Sequence, residues 1–246
     1  MTALRRYYAR APITEALIAI QVPPNDEIEL AELAALNDRH EPPFPNRRDT
    51  FRGEFQLDLS GENEPQTTRS QIGYTFGSED ETSIAQLRRD GVYVSNLSPY
   101  RGWESLRAEA IDWWRLYSDV IQVDVASRLA VRYINKILIP GQTVDFADYL
   151  RTYPEISHDM NQEVSGYFFQ FTSPQPDVGG TLILNQGILP ERDDEGIPVV
   201  LDIDLFVEGE LPADSEALWG VIDQLHDHKN RIFEACITER TRELIG

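Results

Sequence analysis

The sequence predicts an α+β fold in which antiparallel strands form a sheet and long amphipathic helices cover one of its faces. Three observations support this class. Several segments alternate apolar and polar residues, as half-buried strands do. Two long segments repeat apolar residues at three- and four-residue steps, as helices with one buried face do. The same order of elements, from a strand through a short helix and further strands to a long helix, recurs in both halves.

The first half is predicted to contain a strand, a short helix, further strands and a long helix. Pro23-Pro24 ends the first strand, and Asp26 with Glu29 has the spacing of a capping box at the start of a short helix. Asp90-Gly91 supplies the positive φ that a tight hairpin needs. Ser98-Pro99 is predicted to begin the long helix, because serine caps helices and proline suits the first turn. The strands are predicted over residues 12–22, 51–59, 71–77 and 83–97, the last as a hairpin.

The second half is predicted to repeat this order. Its strands are predicted over residues 127–139, 163–173, 180–188 and 197–208, with helices over 144–152 and 213–244. We therefore predict an internal duplication, with repeats 1–124 and 125–246 that form either two units or one continuous domain. Joined side by side, the repeats would give a curved antiparallel sheet with two long helices on one face. That arrangement is similar to the TATA-binding saddle and to helix-grip folds, which by themselves imply no function.

Charge and composition exclude several classes of protein. The 246 residues carry 42 acidic and 22 basic side chains, a net charge of −20, and both halves are acidic. Such a surface repels phosphates, so direct nucleic-acid binding is not expected. The longest apolar runs are too short to cross a bilayer, and the first residues contain no apolar signal segment. With a single cysteine, Cys236, no disulfide framework is expected, and the protein is predicted to be cytoplasmic.

Two strands of the second half carry the candidate binding residues. Arg128, Arg132 and Lys136 share one face of the strand at 127–139, and the sequence predicts an anionic ligand or a partner there. Asp202, Asp204 and Glu208 share one face of the strand at 197–208 and are weak candidates for a Mg²⁺ or Ca²⁺ site. If the two strands are neighbours, the basic and acidic rows would instead pair as salt bridges on the sheet surface.

Aromatic residues at the start of the long helix of the first half are further candidates. Tyr100 and Trp103 are predicted to contribute to an interface, because exposed aromatic residues favour such contacts. The alternative for most aromatics of this helix is packing against the sheet. Cys236 and the histidines are predicted to be packed residues, since His226 and His228 diverge on a helix and cannot share a metal ion. No catalytic motif and no cofactor site is predicted.

Three segments resemble a sporadically distributed prokaryotic family of uncharacterised proteins of about 250 residues. They are the opening Tyr8-x-x-Ala11-Pro12-Ile13-x-Glu15-Ala16, the segment Tyr100-x-Gly102-Trp103-Glu104 with the strand Arg132-Tyr133-Ile134-Asn135, and the last helix around Leu225-His226, Phe233-Glu234 and Ile237-Thr238. The resemblance implies no activity. The patchy occurrence of the family resembles that of anti-phage defence and toxin–antitoxin systems.

The sequence therefore predicts a non-enzymatic binding or sensing protein that acts with a partner encoded by a neighbouring gene, in anti-phage defence. Homo-oligomerisation is left open. One alternative is a Mg²⁺-dependent enzyme or sensor for a nucleotide or phosphorylated small molecule, with Asp202, Asp204 and Glu208 on the metal and Arg132 on the phosphate. Another is an antitoxin or immunity protein whose acidic surface blocks a basic toxin.

Overall fold

Nine strands and four α-helices make up the protein in a computed structural model that describes residues 6–56, 66–190, 196–213 and 215–246. The helices are α1 Leu30–Arg39, α2 Trp103–Ile121, α3 Ser215–Cys236 and α4 Glu239–Ile245. The strands are β1 Ile13–Gln21, β2 Asn46–Gln56, β3 Gln66–Gly77, β4 Ser83–Arg88, β5 Gly91–Leu97, β6 Val125–Pro140, β7 Phe168–Gln175, β8 Gly180–Ile188 and β9 Gly196–Pro212. These elements confirm the predicted α+β class.

All nine strands belong to one antiparallel sheet in the order β2-β3-β4-β5-β1-β6-β9-β8-β7. At its centre β1 pairs with β6, so the sheet continues across the predicted boundary between the repeats. In the first half, β1 lies beside β5, and in the second half, β6 lies beside β9. In each half, therefore, the first strand is the neighbour of the last. The two halves thus share an order of strands, with one strand more in the first, whereas the duplication itself stays a prediction.

The two faces of the sheet differ in what covers them. On β6, Leu129, Val131 and Tyr133 are buried in a core that also contains residues of α1, α2 and α3, and we call this side the helical face. Because side chains alternate along a strand, Arg128, Ala130, Arg132, Ile134 and Lys136 lie on the opposite side, which we call the open face. In the described part of the chain, no helix contributes a residue to the small apolar cluster of the open face.

Helix α2 begins later than the sequence predicts. Its first residue is Trp103, because Ser98 still donates its backbone N–H to Thr14 O of β1 at 3.0 Å and continues the strand pairing. Gly102 precedes the helix with a φ of 101°, a conformation that favours glycine. The predicted cap at Ser98-Pro99 is therefore wrong, and three residues of connection separate the proline from the helix at Trp103.

Three other predicted elements need correction. The capping box of α1 is formed by Glu29 and Glu32, one turn after the predicted pair. The predicted helix at 144–152 is reduced to a 3₁₀ turn at Phe146–Asp148. The predicted C-terminal helix is divided after Cys236, where Thr238 donates its backbone N–H to Tyr149 O at 3.0 Å. Of the strand predicted over 51–59, residues 57–59 lie outside the described residues.

Candidate binding face of the sheet

The basic and acidic rows predicted from the sequence meet on the open face. β6 and β9 are antiparallel neighbours, and their register places Arg132 opposite Asp204 and Arg128 opposite Glu208. The closest ion pairs are shifted along β9, by two residues for Arg132 and by four for Arg128, because a long arginine side chain reaches past its direct partner. Arg132 contacts Asp202, and Arg128 contacts Asp204. The salt-bridged surface that the sequence offered as one interpretation is thus present.

Arg132 is held by a two-point contact with a buried carboxylate. Its Nε donates to Asp202 Oδ1 at 2.8 Å and its Nη2 donates to Oδ2 at 2.7 Å. The Asp202 side chain is only 7% exposed, whereas 44% of the Arg132 side chain remains exposed. The hydrogen bonds to Asp202 raise the pKa of the guanidinium above its ordinary value, which keeps it charged. The exposed edge of a fixed guanidinium is therefore offered to the solvent.

A chain of polar contacts continues from Asp202 to the edge of the sheet. Asn185 of β8 donates to Asp202 Oδ2 at 2.9 Å, and Gln170 of β7 donates to Asn185 Oδ1 at 2.6 Å. The contacts therefore cross four adjacent strands, β6, β9, β8 and β7. Such a chain fixes the rotamers of its members, since each side chain is held by the next.

The second ion pair lies beside an aromatic ring. Arg128 donates to Asp204 Oδ2 at 2.9 Å and lies 3.8 Å from Glu208 Oε1. Its guanidinium carbon stands 4.0 Å above the centre of the Phe206 ring, a cation–π geometry. Burial raises the pKa of Asp204, while the charges of Arg128 and Arg132 act in the opposite direction. The two arginines therefore offset part of the effect of burial on this carboxylate.

A small apolar cluster crosses the middle of the open face, from Tyr93 of β5 to Ile183 of β8. Ala19, Ala130 and Phe206 are buried there although none of the described helices covers them, because larger neighbours surround them. Leu17, Tyr93 and Ile183 are the partly buried members of the cluster. The open face thus combines fixed arginines with apolar and aromatic surface, the composition that is enriched at protein interfaces.

Not all predicted binding residues share this face. Lys136 is exposed on β6, on the same side as Arg132. Tyr100 and Trp103 lie on the helical face instead. The hydroxyls of Tyr100 and the buried Tyr133 are 2.8 Å apart, and Trp103 stacks on His226 with ring centres 3.9 Å apart. The five residues therefore do not form one site, and the two aromatics serve packing between α2, α3 and the sheet.

The acidic row shows no arrangement typical of a metal site. Asp202 and Asp204 point their carboxylates at arginines, and the Glu208 side chain is mostly exposed. Within residues 6–56, 66–190, 196–213 and 215–246, no group of three or more His, Cys, Asp or Glu side chains is placed to hold a metal ion. The Mg²⁺-dependent alternative therefore lacks a ligand set in the described part of the chain.

The sequence reading missed a buried lysine on the helical face. Lys229 of α3 is 5% exposed, with its Nζ 3.3 Å from the centre of the Tyr133 ring and 2.7 Å from Asn230 Oδ1. Burial lowers the pKa of Lys229 to about 7, whereas the cation–π contact favours the charged form. Its position in the sequence does indicate burial, because Lys229 lies four residues after Leu225 and seven after Ile222 on the apolar stripe of the helix.

Comparisons with known proteins leave the family resemblance as a prediction. A scan against protein-family models finds no match, and a search of curated proteins finds none either. Among the described helices, none combines the length and the apolar character that crossing a bilayer requires. The argument for function therefore depends on the geometry of the open face.

Proposed function

We propose that the protein is a non-enzymatic binding protein whose open sheet face recognises a protein partner encoded by a neighbouring gene. The observation that carries the proposal is the Arg132–Asp202 pair. A buried carboxylate fixes an arginine whose side chain is 44% exposed, beside an apolar cluster that no described helix covers. Interfaces favour arginine and aromatic residues that are fixed before binding, because less side-chain entropy is then lost.

Charge indicates the chemistry of the partner. The chain has a net charge of −20, yet on the open face the acidic row of β9 is matched by Arg128, Arg132 and Lys136, and the last two are exposed. A partner segment that combines a carboxylate for the Arg132 edge with apolar side chains for the Ala130–Phe206 cluster would fit this surface. A role in anti-phage defence is part of the proposal, and its support is the family resemblance of the sequence.

The test is affinity purification of the tagged full chain from its native host at physiological salt, with and without phage challenge. Mass spectrometry identifies both co-purifying proteins and extracted nucleotides. Exchanging Arg132 alone would leave the buried Asp202 without its cation, so we choose Lys136→Glu and the double variant Arg132→Gln with Asp202→Asn. Arg115→Glu, on an exposed position of α2, is the control with the same change of charge as Lys136→Glu.

The proposal predicts a stoichiometric protein that is retained by the wild type and by Arg115→Glu and is lost, at least tenfold, from both open-face variants. Thermal melting of each variant confirms that the chain is folded. Equal retention by all variants would contradict the open-face assignment. A bound nucleotide without a protein partner would support the enzyme or sensor alternative instead. A toxic neighbouring gene product that the chain neutralises would favour the antitoxin alternative.

A further inference from the structure

The two edges of the sheet differ in charge. The edge strand β2 carries Arg47, Arg48, Asp49 and Arg52, the kind of charged side chains that keep sheet edges apart. At the other edge, residues 164–176, which include all of β7, contain no charged side chain. Phe168 and Phe171 of β7 are 70% and 38% exposed. Apart from Pro174 near its end, β7 thus lacks the features by which proteins prevent edge-to-edge pairing.

The backbone of β7 has a free outer side. Tyr167 O accepts a hydrogen bond from Ile188 N of β8 at 3.0 Å. The backbone groups of Tyr167 therefore point toward β8. In an antiparallel pair, backbone groups point alternately toward and away from the partner strand. The N–H and C=O groups of Phe168, Gln170 and Thr172 therefore point away from β8. In the sheet of the described residues, β7 is the last strand on that side.

We propose that β7 pairs antiparallel with β7 of a second copy of this chain, about a twofold axis through Gln170. Phe168 then lies opposite Thr172 of the second copy, and Gln170 lies opposite itself. These three pairs form about six backbone hydrogen bonds. Pro174 has no N–H to donate, so registers that place it inside the contact form fewer bonds. The register centred on Gln170 is the one that keeps Pro174 at the end.

The side chains of β7 complement themselves in this register. On the helical side, Tyr167, Phe169 and Phe171 are stacked in a row, with successive ring centres 6.1 and 6.3 Å apart. Pairing about Gln170 places Phe169 opposite Phe171 of the second copy, and Phe171 opposite Phe169 of the second copy. The row therefore continues across the axis and covers the exposed part of Phe171. Aromatic pairs across neighbouring strands stabilise a sheet by up to about 1 kcal/mol each.

Charge gives the proposed dimer a characteristic salt dependence. Each copy has a net charge of −20, so two copies repel each other at long range, although the contact itself contains no charged side chain. Salt screens this repulsion within about 10 Å at 0.1 M. The dimer should therefore become tighter as sodium chloride is raised from 0.05 to 0.5 M, unlike an interface held by ion pairs.

A disulfide between single cysteines tests the register. In a hydrogen-bonded antiparallel pair the two Cα atoms are about 5.5 Å apart, within the range of a disulfide. Gln170→Cys should therefore cross-link to its own copy under mild oxidation. Thr172→Cys is the matched control on the same strand, because its own copies would be about 13 Å apart along the strands. The native Cys236 is buried and does not compete.

The proposal predicts a cross-linked dimer for Gln170→Cys at tenfold or greater yield than for Thr172→Cys, and a mixed dimer when Phe168→Cys is oxidised together with Thr172→Cys. It also predicts that the wild type sediments as a dimer at about 100 μM in 0.5 M salt. Gln170→Lys, which places two ammonium groups opposite each other at the axis, should sediment as a monomer that still melts cooperatively. A monomeric wild type, equal yields from both cysteines, or a dimer that tolerates Gln170→Lys would overturn the proposal.

Discussion

The two faces of the sheet solve the problem of buried polar groups differently. The open face carries its charges in pairs, with Asp202 and Asp204 each against an arginine. The helical face buries Lys229 against the Tyr133 ring and the side-chain amide oxygen of Asn230. The comparison teaches that the open face is arranged to keep charges ionised at the surface, whereas the helical face accepts one cation at a cost in stability. This is the arrangement expected if recognition takes place on the open face.

The two faces should differ most in the free energy of unfolding that is lost when an aromatic residue is truncated. Trp113 of α2 is fully buried, stacked on His40 at 4.0 Å and near Phe76 on the helical face. Trp113→Ala should lower the free energy of unfolding by about 4 kcal/mol, because a large cavity remains. Phe206→Ala on the open face should cost about 2 kcal/mol, because solvent can reach the space. Urea unfolding checks both, and equal losses would contradict the description of the two faces.

Breaking the open-face ion pair should have the next largest effect. Arg132→Ala leaves Asp202, which is 7% exposed, without its cation and should cost about 3 kcal/mol. Replacing Asp202 by Asn in the same chain should recover most of this loss, because the buried charge is then removed. Urea unfolding of the two single variants and the double variant forms the cycle. If the effects of the two substitutions simply add, the pair is not coupled as described.

Lys229 should make the stability depend on pH. The pKa of about 7 in the folded chain lies below the ordinary value, so the unfolded chain binds the extra proton at intermediate pH. The free energy of unfolding should therefore rise from pH 7 to pH 9.5. Lys229→Met should stabilise the protein by about 2 kcal/mol at pH 7, with the difference shrinking toward pH 9.5.

Among the other groups with shifted pKa values, Cys236 acts inside this window. Burial raises the pKa of its thiol to about 11, so its contribution falls once the unfolded chain ionises near pH 9 and partly opposes the rise from Lys229. Burial raises the pKa values of Tyr100 and Tyr117, to about 12 in the case of Tyr100, so their contribution is lost only above about pH 10. His228, whose pKa is lowered by burial, titrates below pH 7. A flat profile for the wild type between pH 7 and pH 9.5, or no change in slope for Lys229→Met, would show that Lys229 is not buried as described.

The smallest effect is expected for an exposed ion pair near the edge of the sheet. Arg48 and Glu81 are 2.7 Å apart, but their side chains are 72% and 56% exposed. Arg48→Ala should change the free energy of unfolding by less than about 0.5 kcal/mol, because water screens the pair. Arg48→Ala is the reference for Arg132→Ala, and urea unfolding at one salt concentration compares the two variants. A loss similar to that of Arg132→Ala would contradict the importance assigned to burial.

The sequence predicts the open face better than the helical one. Arg128, Arg132 and Lys136 alternate with apolar residues along a long strand, so their shared side follows from the period of two. That β9 would be the neighbour of β6 depends on contacts between distant segments and could only be stated as a condition. The pairing in the structure fulfils it. The uncharged segment 164–176 was visible as well, but only the sheet order shows that it is an edge.

Errors arose where the chain changes direction. The sequence predicts Tyr100 and Trp103 at an interface because exposed aromatic residues favour such contacts. In the structure α2 starts at Trp103 rather than at Ser98-Pro99, and both rings contact residues of the helical face. Lys229 was missed because a charged residue on an apolar stripe is normally read as polar surface. Its burial depends on Tyr133, which lies almost one hundred residues earlier in the chain.

The most direct test of the binding proposal asks which face touches the partner in the cell. A photo-cross-linking amino acid is placed at Lys136 on the open face or at Arg115 on α2, both of which are exposed. The tagged chain is irradiated in its native host and its covalent adducts are identified by mass spectrometry. We expect one defined protein adduct from position 136 and none from position 115. The same adduct from position 115, with none from 136, would contradict recognition by the open face.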